Sequence, residues 1–134
     1  MSRDPGLALP KLESVVVEQD EHGVVITYEL VVALEHIVFD TMMVGVAVIA
    51  PDRALAKHFA VKFFASAEPA VFVFDFASAT QANYRAEQLE TAGRTLVVRY
   101  PDSSLGVHRN GELYGFTTLN GEDIITRKAV TLFV

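Results

Sequence analysis

The sequence predicts an all-β protein: a two-sheet antiparallel β-sandwich of immunoglobulin-like architecture, with at most one or two short helices. Roughly seven or more short segments rich in β-branched and aromatic residues recur along the chain, with turn residues about every eight to twelve positions. Two Asn-Gly pairs, at 110–111 and 120–121, are typical of tight β-hairpins. We predict a single domain over 12–134, preceded by a disordered lead-in at 1–11.

The first two predicted strands form a hairpin. Segment 12–18 is followed by turn residues at 20–23, and a second apolar run occupies 24–34. Alternate positions of that run place apolar side chains on one face, namely Val24, Ile26, Tyr28, Leu30, Val32 and Leu34. The pattern predicts that 24–34 is the main core strand.

Segment 37–50 is apolar on both of its faces. A strand of this kind is buried on both sides, either in the centre of the protein or against a neighbouring subunit. Gly45 in its middle predicts a bulge or a bend.

Residues 53–66 fit a helix and a strand almost equally well. We favour a strand, because Glu68-Pro69 then forms a turn into an alternating strand at 70–77. The Phe-rich strands of this region, with Phe59, Phe63, Phe64, Phe72, Phe74 and Phe76, are predicted to fill the core.

The sequence pattern of residues 79–92 predicts a short helix. Ser78 and Gln81 match a capping box, and Gly93 stands where a helix would end. An irregular crossover between the sheets is the alternative, because the apolar stripe is narrow. If both 53–66 and 79–92 were helical, the fold would instead be α+β.

The C-terminal third predicts a meander of strands. Its predicted strands are 95–100, 105–109, 112–119 and 122–134, joined by a turn at 101–104 and by the two Asn-Gly pairs.

The composition limits the classes of function. Hydrophobic residues make up 51% of the chain and charged residues only 21%, an excess that predicts apolar surface covered by a partner. The net charge of −6 disfavours nucleic acid and anionic membranes as partners. The absence of cysteine and of any apolar leader indicates a cytoplasmic protein without disulfides.

The densest group of polar side chains follows the strand at 95–100. Its members are candidate ligand-binding residues: Arg99, Tyr100, Asp102, His108, Arg109 and Tyr114. Ser103, Asp102 and His108 also supply the residue types of a catalytic triad, but no nucleophile-elbow sequence surrounds the serine. Turn formation accounts for 101–104 without catalysis.

Two further places in the sequence, Asp75 and the pair His36 and Asp40, have residue types that can carry chemistry. Asp75, between Phe74 and Phe76, could be a general acid or base if it is buried. We favour an outer, half-exposed position on its strand, on the same face as Val71, Val73 and Ala77. His36 and Asp40 invite a metal, but four residues along a strand span about 13 Å, too far to share one ion. We therefore predict no metal and no organic cofactor.

Three functions are compatible with the sequence. The first is a non-catalytic module that binds another protein or itself, as a homodimer. The second is a carrier of small apolar ligands, in which the strands form a barrel or cup. The third is a small enzyme that uses Asp75 or the Asp102/His108 region.

Overall fold

The structure, a computed structural model, describes residues 8–106 and 112–134. Within these residues the chain forms eleven strands and two 3-10 helices, the latter at Leu34–His36 and Ala86–Gln88. The strands are β1 (Leu12–Asp20), β2 (Gly23–Leu30), β3 (Thr41–Ile49), β4 (Leu55–Phe64), β5 (Ala67–Asp75), β6 (Thr80–Tyr84), β7 (Leu89–Ala92), β8 (Thr95–Pro101), β9 (Glu112–Leu119), β10 (Glu122–Ala129) and β11 (Thr131–Phe133). Neither helix has the length and apolar character needed to cross a membrane.

The strands form two sheets that pack face to face. The five-stranded sheet has the order β11-β1-β2-β8-β7, and the six-stranded sheet has the order β10-β9-β3-β4-β5-β6. Apart from the parallel pair of β1 and β11, the neighbouring strands run antiparallel. The predicted all-β sandwich is therefore confirmed.

The core lies between the inner faces of the two sheets, and β2 is one of its main strands. Its alternate side chains are buried, as predicted, from Val24 to Leu30. The strand ends at Leu30, earlier than predicted, and Val32 and Leu34 pack against the core only in part. The hairpin of β1 with β2 is confirmed.

Strand β3 is regular at Gly45, so the predicted bulge there is wrong. Gly45 pairs in register with Ala60 of β4 and Phe116 of β9. A Cβ atom at this position would lie 2.5 Å from Cζ of Phe116 and 2.8 Å from the carbonyl oxygen of Phe59. The glycine is needed because the Phe116 ring packs directly on the backbone of β3.

Within 53–66 the chain forms a strand, β4, over Leu55–Phe64, so the predicted strand is confirmed and the α+β alternative is wrong there. The turn lies at residues 65–66 rather than at Glu68-Pro69, since β5 already begins at Ala67. Pro69 lies next to a shift in the register of β4 with β5, between Lys62 and Phe64, where proline is tolerated.

The helix predicted at 79–92 is wrong, and the crossover alternative is correct. Strand β6 belongs to the six-stranded sheet and β7 to the five-stranded sheet, with a 3-10 helix between them. The small apolar stripe of this segment buries too little area to hold a helix against the core. Gly93, with φ of 60°, lies in the turn from β7 to β8 instead of capping a helix.

The C-terminal strands do not form one meander. Strand β8 lies in the five-stranded sheet, whereas β9 and β10 lie in the other. The predicted strand 122–134 is divided at Val130, after which β11 crosses to pair with β1. The Asn120-Gly121 hairpin is confirmed, with φ of 51° and 84°.

Some predicted features fall partly outside the described residues. These are residues 1–7 of the lead-in, residues 107–109 of the predicted strand 105–109, and the Asn110-Gly111 pair. Leu105 is buried but lies in no strand. At the end of the lead-in, Pro10 is buried and Ala8 packs against the core, so ordered contacts begin before residue 12.

Candidate functional site

The outer face of the six-stranded sheet carries a group of aromatic side chains. Alternate residues of β3, β4, β5 and β9 point away from the core, because their neighbours in sequence fill it. We call the central part of this surface the aromatic face and define it by its outward residues Gly45, Ala47, His58, Ala60, Phe72, Phe74, Phe76 and Phe116.

Four rings of the aromatic face form a continuous row. The Phe116 and His58 ring centroids are 4.8 Å apart, those of His58 and Phe76 5.0 Å, and those of Phe76 and Phe74 4.7 Å. These separations lie within the range of favourable aromatic contacts. The row crosses from β9 to β5 over the small residues of β3 and fixes the positions of the rings relative to one another.

The small residues of β3 and β4 make this arrangement possible. Gly45 and Ala47 of β3 leave the space above the sheet into which the Phe116 ring extends. Ala60 is fully buried although it points outward. The aromatic face is therefore a closely packed layer of rings on the sheet, with no further layer of described residues above it.

The electrostatics of the aromatic face are those of a weakly charged surface. Burial lowers the pKa of His58, which favours the neutral form of the imidazole. The outward positions of β4, and of β5 from Ala70, carry no carboxylate, whereas Glu112 of β9 and Asp123 of β10 place carboxylates at the margin of the same outer face. The Tyr114 hydroxyl donates a hydrogen bond to the Glu112 carboxylate. At the margins, the Lys62 Nζ atom lies 5.5 Å from the centroid of the Phe64 ring, and the Arg127 Cζ atom lies 4.7 Å from the centroid of the Tyr114 ring.

The outer face of the five-stranded sheet is different in character. Glu29 accepts a hydrogen bond of 2.6 Å from Thr95 and lies 3.6 Å from Arg94. Arg99 forms an ion pair with Glu90. This sheet presents the polar, paired side chains that water solvates well, whereas the aromatic face presents rings.

A polar cleft opens at one end of the sandwich, between β6 and the loop that follows β8. It has a volume of about 370 Å³, and we call it the end cleft. Its lining residues are Lys57, Val73, Asp75, Thr80, Ala82, Tyr84, Asp102, Ser103 and Ser104.

Two charged groups of the end cleft are engaged in local contacts. The Lys57 ammonium donates a hydrogen bond of 2.8 Å to the Ser104 carbonyl oxygen. The Asp75 carboxylate accepts hydrogen bonds from the backbone N–H groups of Ala77, at 2.9 Å, and Ser78, at 3.3 Å. Asp75 thus stabilises the turn into β6, and it shares the cleft with Asp102.

Comparisons of the chain with known protein families, with curated proteins and with solved structures find no match. The functional assignment therefore rests on these two surfaces.

The structure separates the candidate ligand-binding residues. Arg99 lies on the outer face of the five-stranded sheet, beside a second cleft of about 230 Å³. Tyr100 is fully buried, and its hydroxyl donates to the Ala60 carbonyl oxygen at 3.1 Å. Asp102 lines the end cleft, and Tyr114 lies under Arg127 beside the aromatic face.

The two remaining candidates, His108 and Arg109, lie outside the described residues. The described candidates therefore form no single site. Among the described residues, no group of three histidine or acidic side chains is placed to hold a metal ion.

The face of β5 that points to the core is the opposite of the one predicted. Val71 and Val73 are buried, and Asp75 shares their inward face, so it does not lie on the outer side of the strand. Of the Phe residues predicted to fill the core, only Phe59 and Phe63 are buried there. The others lie outward, namely Phe64, Phe72, Phe74 and Phe76. Because β5 is apolar on both faces, alternation alone did not distinguish its inner side.

Proposed function

We propose that this protein is a non-catalytic self-associating module in which the aromatic faces of two copies pack together about a two-fold axis. The observation that carries this proposal is the row of four rings from Phe116 to Phe74, on a sheet face without a covering layer among the described residues. Uncovered apolar patches of this kind are typical of interaction sites.

The size of the face supports a second copy as the occupant. The whole outer face of the six-stranded sheet, which has the aromatic face at its centre, spans six strands about 4.8 Å apart with about seven residues each, rising about 3.3 Å per residue. Its area is roughly 550 Å², to which the protruding rings add. Two such faces bury about 1,200 Å², the lower end of the range for stable interfaces. An isologous dimer uses the same patch twice, so one apolar face per chain is sufficient.

The charge distribution supports the same arrangement. Each copy carries a net charge of −6, and two copies repel if their carboxylates meet. The outward positions of β4, and of β5 from Ala70, contribute as ionisable groups only Lys62 and His58, whose lowered pKa favours the neutral imidazole. The carboxylates Glu112 and Asp123 lie at the β9–β10 margin of the same outer face, where Arg127 packs on the Tyr114 ring. The carboxylates of the outer face on the five-stranded sheet remain remote from the interface, where salt screens them over a distance of about 8 Å.

The two alternative functions have less support. A carrier of apolar ligands would use the Phe side chains to line a cavity, whereas four of them lie on the outside of the sheet. An enzyme would use Asp75 and Asp102 in the end cleft, where Asp75 already accepts two backbone hydrogen bonds. We also propose a reducing compartment, the cytoplasm, because the chain has no cysteine.

Sedimentation velocity at micromolar concentrations tests the dimer. We expect a species of twice the 14.7 kDa chain mass, and we expect Phe76→Glu to convert it to single chains. Phe76 is 37% exposed, so a charge there can be solvated in the separate chain, while in the dimer it would be buried without a partner.

Val38→Glu is the matched control, because Val38 is 82% exposed and lies before β3, away from the aromatic face. We expect this variant to dimerise normally. A wild-type protein that remains a single chain as its concentration rises, or equal dissociation by both variants, would contradict the proposal.

A further inference from the structure

The edge of the six-stranded sheet at β6 is open. Among the described residues, β6 pairs with β5 alone and is the last strand of its sheet. Half of the N–H and C=O groups of such a strand point away from the sheet. Its five residues offer about 17 Å of backbone to an incoming strand.

The opposite edge of the same sheet, β10, is protected against strand addition. Its pairing with β9 contains two shifts of register, at Asp123/Ile125 and Ile125/Lys128. It also carries four charged residues, Glu122, Asp123, Arg127 and Lys128. Irregular register and charged side chains are the usual protection of exposed sheet edges.

Strand β6 has none of this protection. Its sequence, TQANY, contains no charge and no proline. Its register with β5 is continuous from Val71/Tyr84 to Asp75/Thr80. Of the two edges, β6 is therefore the one whose backbone can accept another strand.

The end cleft lies directly beside this edge. The inward side chains of β6, Thr80, Ala82 and Tyr84, form one wall of the cleft, and the loop after β8 forms another. A strand added to β6 would point every second side chain toward the same side of the sheet. The backbone of β6 and the end cleft thus have the two parts of a strand-addition site: a hydrogen-bonding edge and a pocket for an alternate side chain.

The negative charge of the end cleft favours a basic side chain in the strand that is added to β6. Asp75 and Asp102 contribute two carboxylates, while the single ammonium, Lys57, is hydrogen-bonded to the Ser104 carbonyl oxygen. The chain as a whole carries a net charge of −6. Both the local and the overall charge favour a basic group over an acidic or neutral one.

We propose that β6 binds an extended peptide segment of another protein by strand addition, with a lysine or arginine side chain of that segment in the end cleft. This surface is the edge of the sheet, so the proposal does not depend on dimerisation through the aromatic face. A second copy of β6 is a poorer occupant, since its inward residues are not basic and its Tyr84 ring already packs 5.4 Å from the Tyr100 ring.

Peptide binding measured by fluorescence anisotropy tests the proposal. The probe is a labelled nonapeptide of alternating threonine and valine with a central lysine, and its partner peptide has glutamate at the centre. We expect the lysine peptide to bind more tightly and to shift the amide resonances of residues 80–84. A third peptide, N-methylated at alternate backbone positions, is expected to lose binding because it lacks the donors that pair with the edge.

Asp102→Asn tests the role of the cleft charge. Asp102 has φ of 58°, a conformation that asparagine also adopts, so the variant keeps the turn. We expect it to weaken binding of the lysine peptide by about threefold, the size of a solvent-exposed ion pair. Asp52→Asn is the matched control, because Asp52 is an exposed acid in a different turn.

Several results would overturn the proposal. These are no binding of the lysine peptide at millimolar concentration, equal affinity for the lysine and glutamate peptides, or an equal effect of the two aspartate variants. Amide shifts on the aromatic face instead of β6 would also exclude the site. Protection of the β6 amides that rises with protein concentration alone would assign the edge to a second copy.

Discussion

One side chain, that of Asn120, joins the β9–β10 hairpin to the start of β3. Its Oδ1 accepts hydrogen bonds from the backbone N–H groups of Asp40, at 2.8 Å, and Thr41, at 3.1 Å. Its own N–H donates to the Thr41 carbonyl oxygen at 2.8 Å. Asn120 therefore has two roles: it adopts the positive φ of the turn and it holds the entry into the central strand of the aromatic face.

Asn120→Ala is expected to destabilise the protein by about 2 to 3 kcal/mol, because it removes two hydrogen bonds of about 1 kcal/mol each or less and places alanine at positive φ. Asn120→Gly is expected to cost less, about 1 to 2 kcal/mol, since glycine adopts that φ without strain. Urea unfolding of both variants measures the difference. An equal loss of unfolding free energy in the two variants would show that alanine at φ of 51° adds no measurable strain.

His58 makes stability depend on pH. Burial lowers its pKa below the ordinary value of about 6.5, so an unfolded chain takes up a proton at this position at a higher pH than the folded chain does. Between those two pKa values the unfolded state binds more protons, and the free energy of unfolding therefore falls as the pH falls. This contribution is fully present above the ordinary pKa of histidine and is lost on acidification.

The measurement is urea unfolding at about pH 7.5 and pH 5.5, either side of the ordinary histidine pKa. We expect His58→Phe to lose less stability on acidification than the wild-type protein. His36→Gln, at an exposed histidine, is the control and is expected to match the wild type. An unchanged pH dependence in His58→Phe would rule out His58 as the source.

At the scale of elements, the sequence predicted those strands whose pattern is local. Strand β2 alternates between apolar and more polar residues, and its buried face follows directly. Strand β5 is apolar on both faces, so the period of two located the strand without showing which side faces the core. The helix predicted at 79–92 failed because a capping box and a following glycine also fit a crossover between sheets.

The sequence did not predict which strands belong to which sheet, because strand order depends on contacts between residues that are distant in the chain. Strands β8 and β9 follow one another in the chain but lie in different sheets. The end cleft combines Lys57, Asp75 and Asp102, which only the strand order brings together. By contrast, the apolar residues on both faces of segment 37–50 favoured an outer face covered by a partner, although the Phe side chains of β5 were predicted to fill the core.

The different burial of the two faces of β2 gives a direct test at this scale. Ile26 is fully buried, so Ile26→Ala is expected to cost about 2 to 5 kcal/mol through lost burial and a cavity. Val25 is adjacent but points outward and is half-buried, so Val25→Ala is expected to cost less than about 1 kcal/mol. Denaturant midpoints compare the two variants. A larger cost at Val25 than at Ile26 would reverse the assigned faces.

At the scale of the whole molecule, the two outer faces of the sandwich give it a polar side and an apolar side. Arg99 of β8, Arg94 of the β7–β8 turn and their acidic partners lie on the side of the five-stranded sheet, and the row of rings lies on the other. This asymmetry explains how a chain with 51% hydrophobic residues has both a solvated surface and an apolar excess. It also links the proposed association to folding, because formation of a dimer through the aromatic face would remove the apolar side from water.

The melting temperature should therefore rise with protein concentration. If the folded chain dimerises and the unfolded chain does not, each tenfold increase in concentration stabilises the dimer by about 1.4 kcal/mol, or about 0.7 kcal/mol per chain. For a domain of 134 residues this corresponds to a rise of about 2 to 3 °C. Scanning calorimetry over two decades of concentration measures this rise.

Phe76→Glu should melt at a temperature that does not change with concentration, and Val38→Glu should retain the wild-type dependence. A wild-type melting temperature that is constant over this range would show that the aromatic face remains in water and that the chain folds and functions alone.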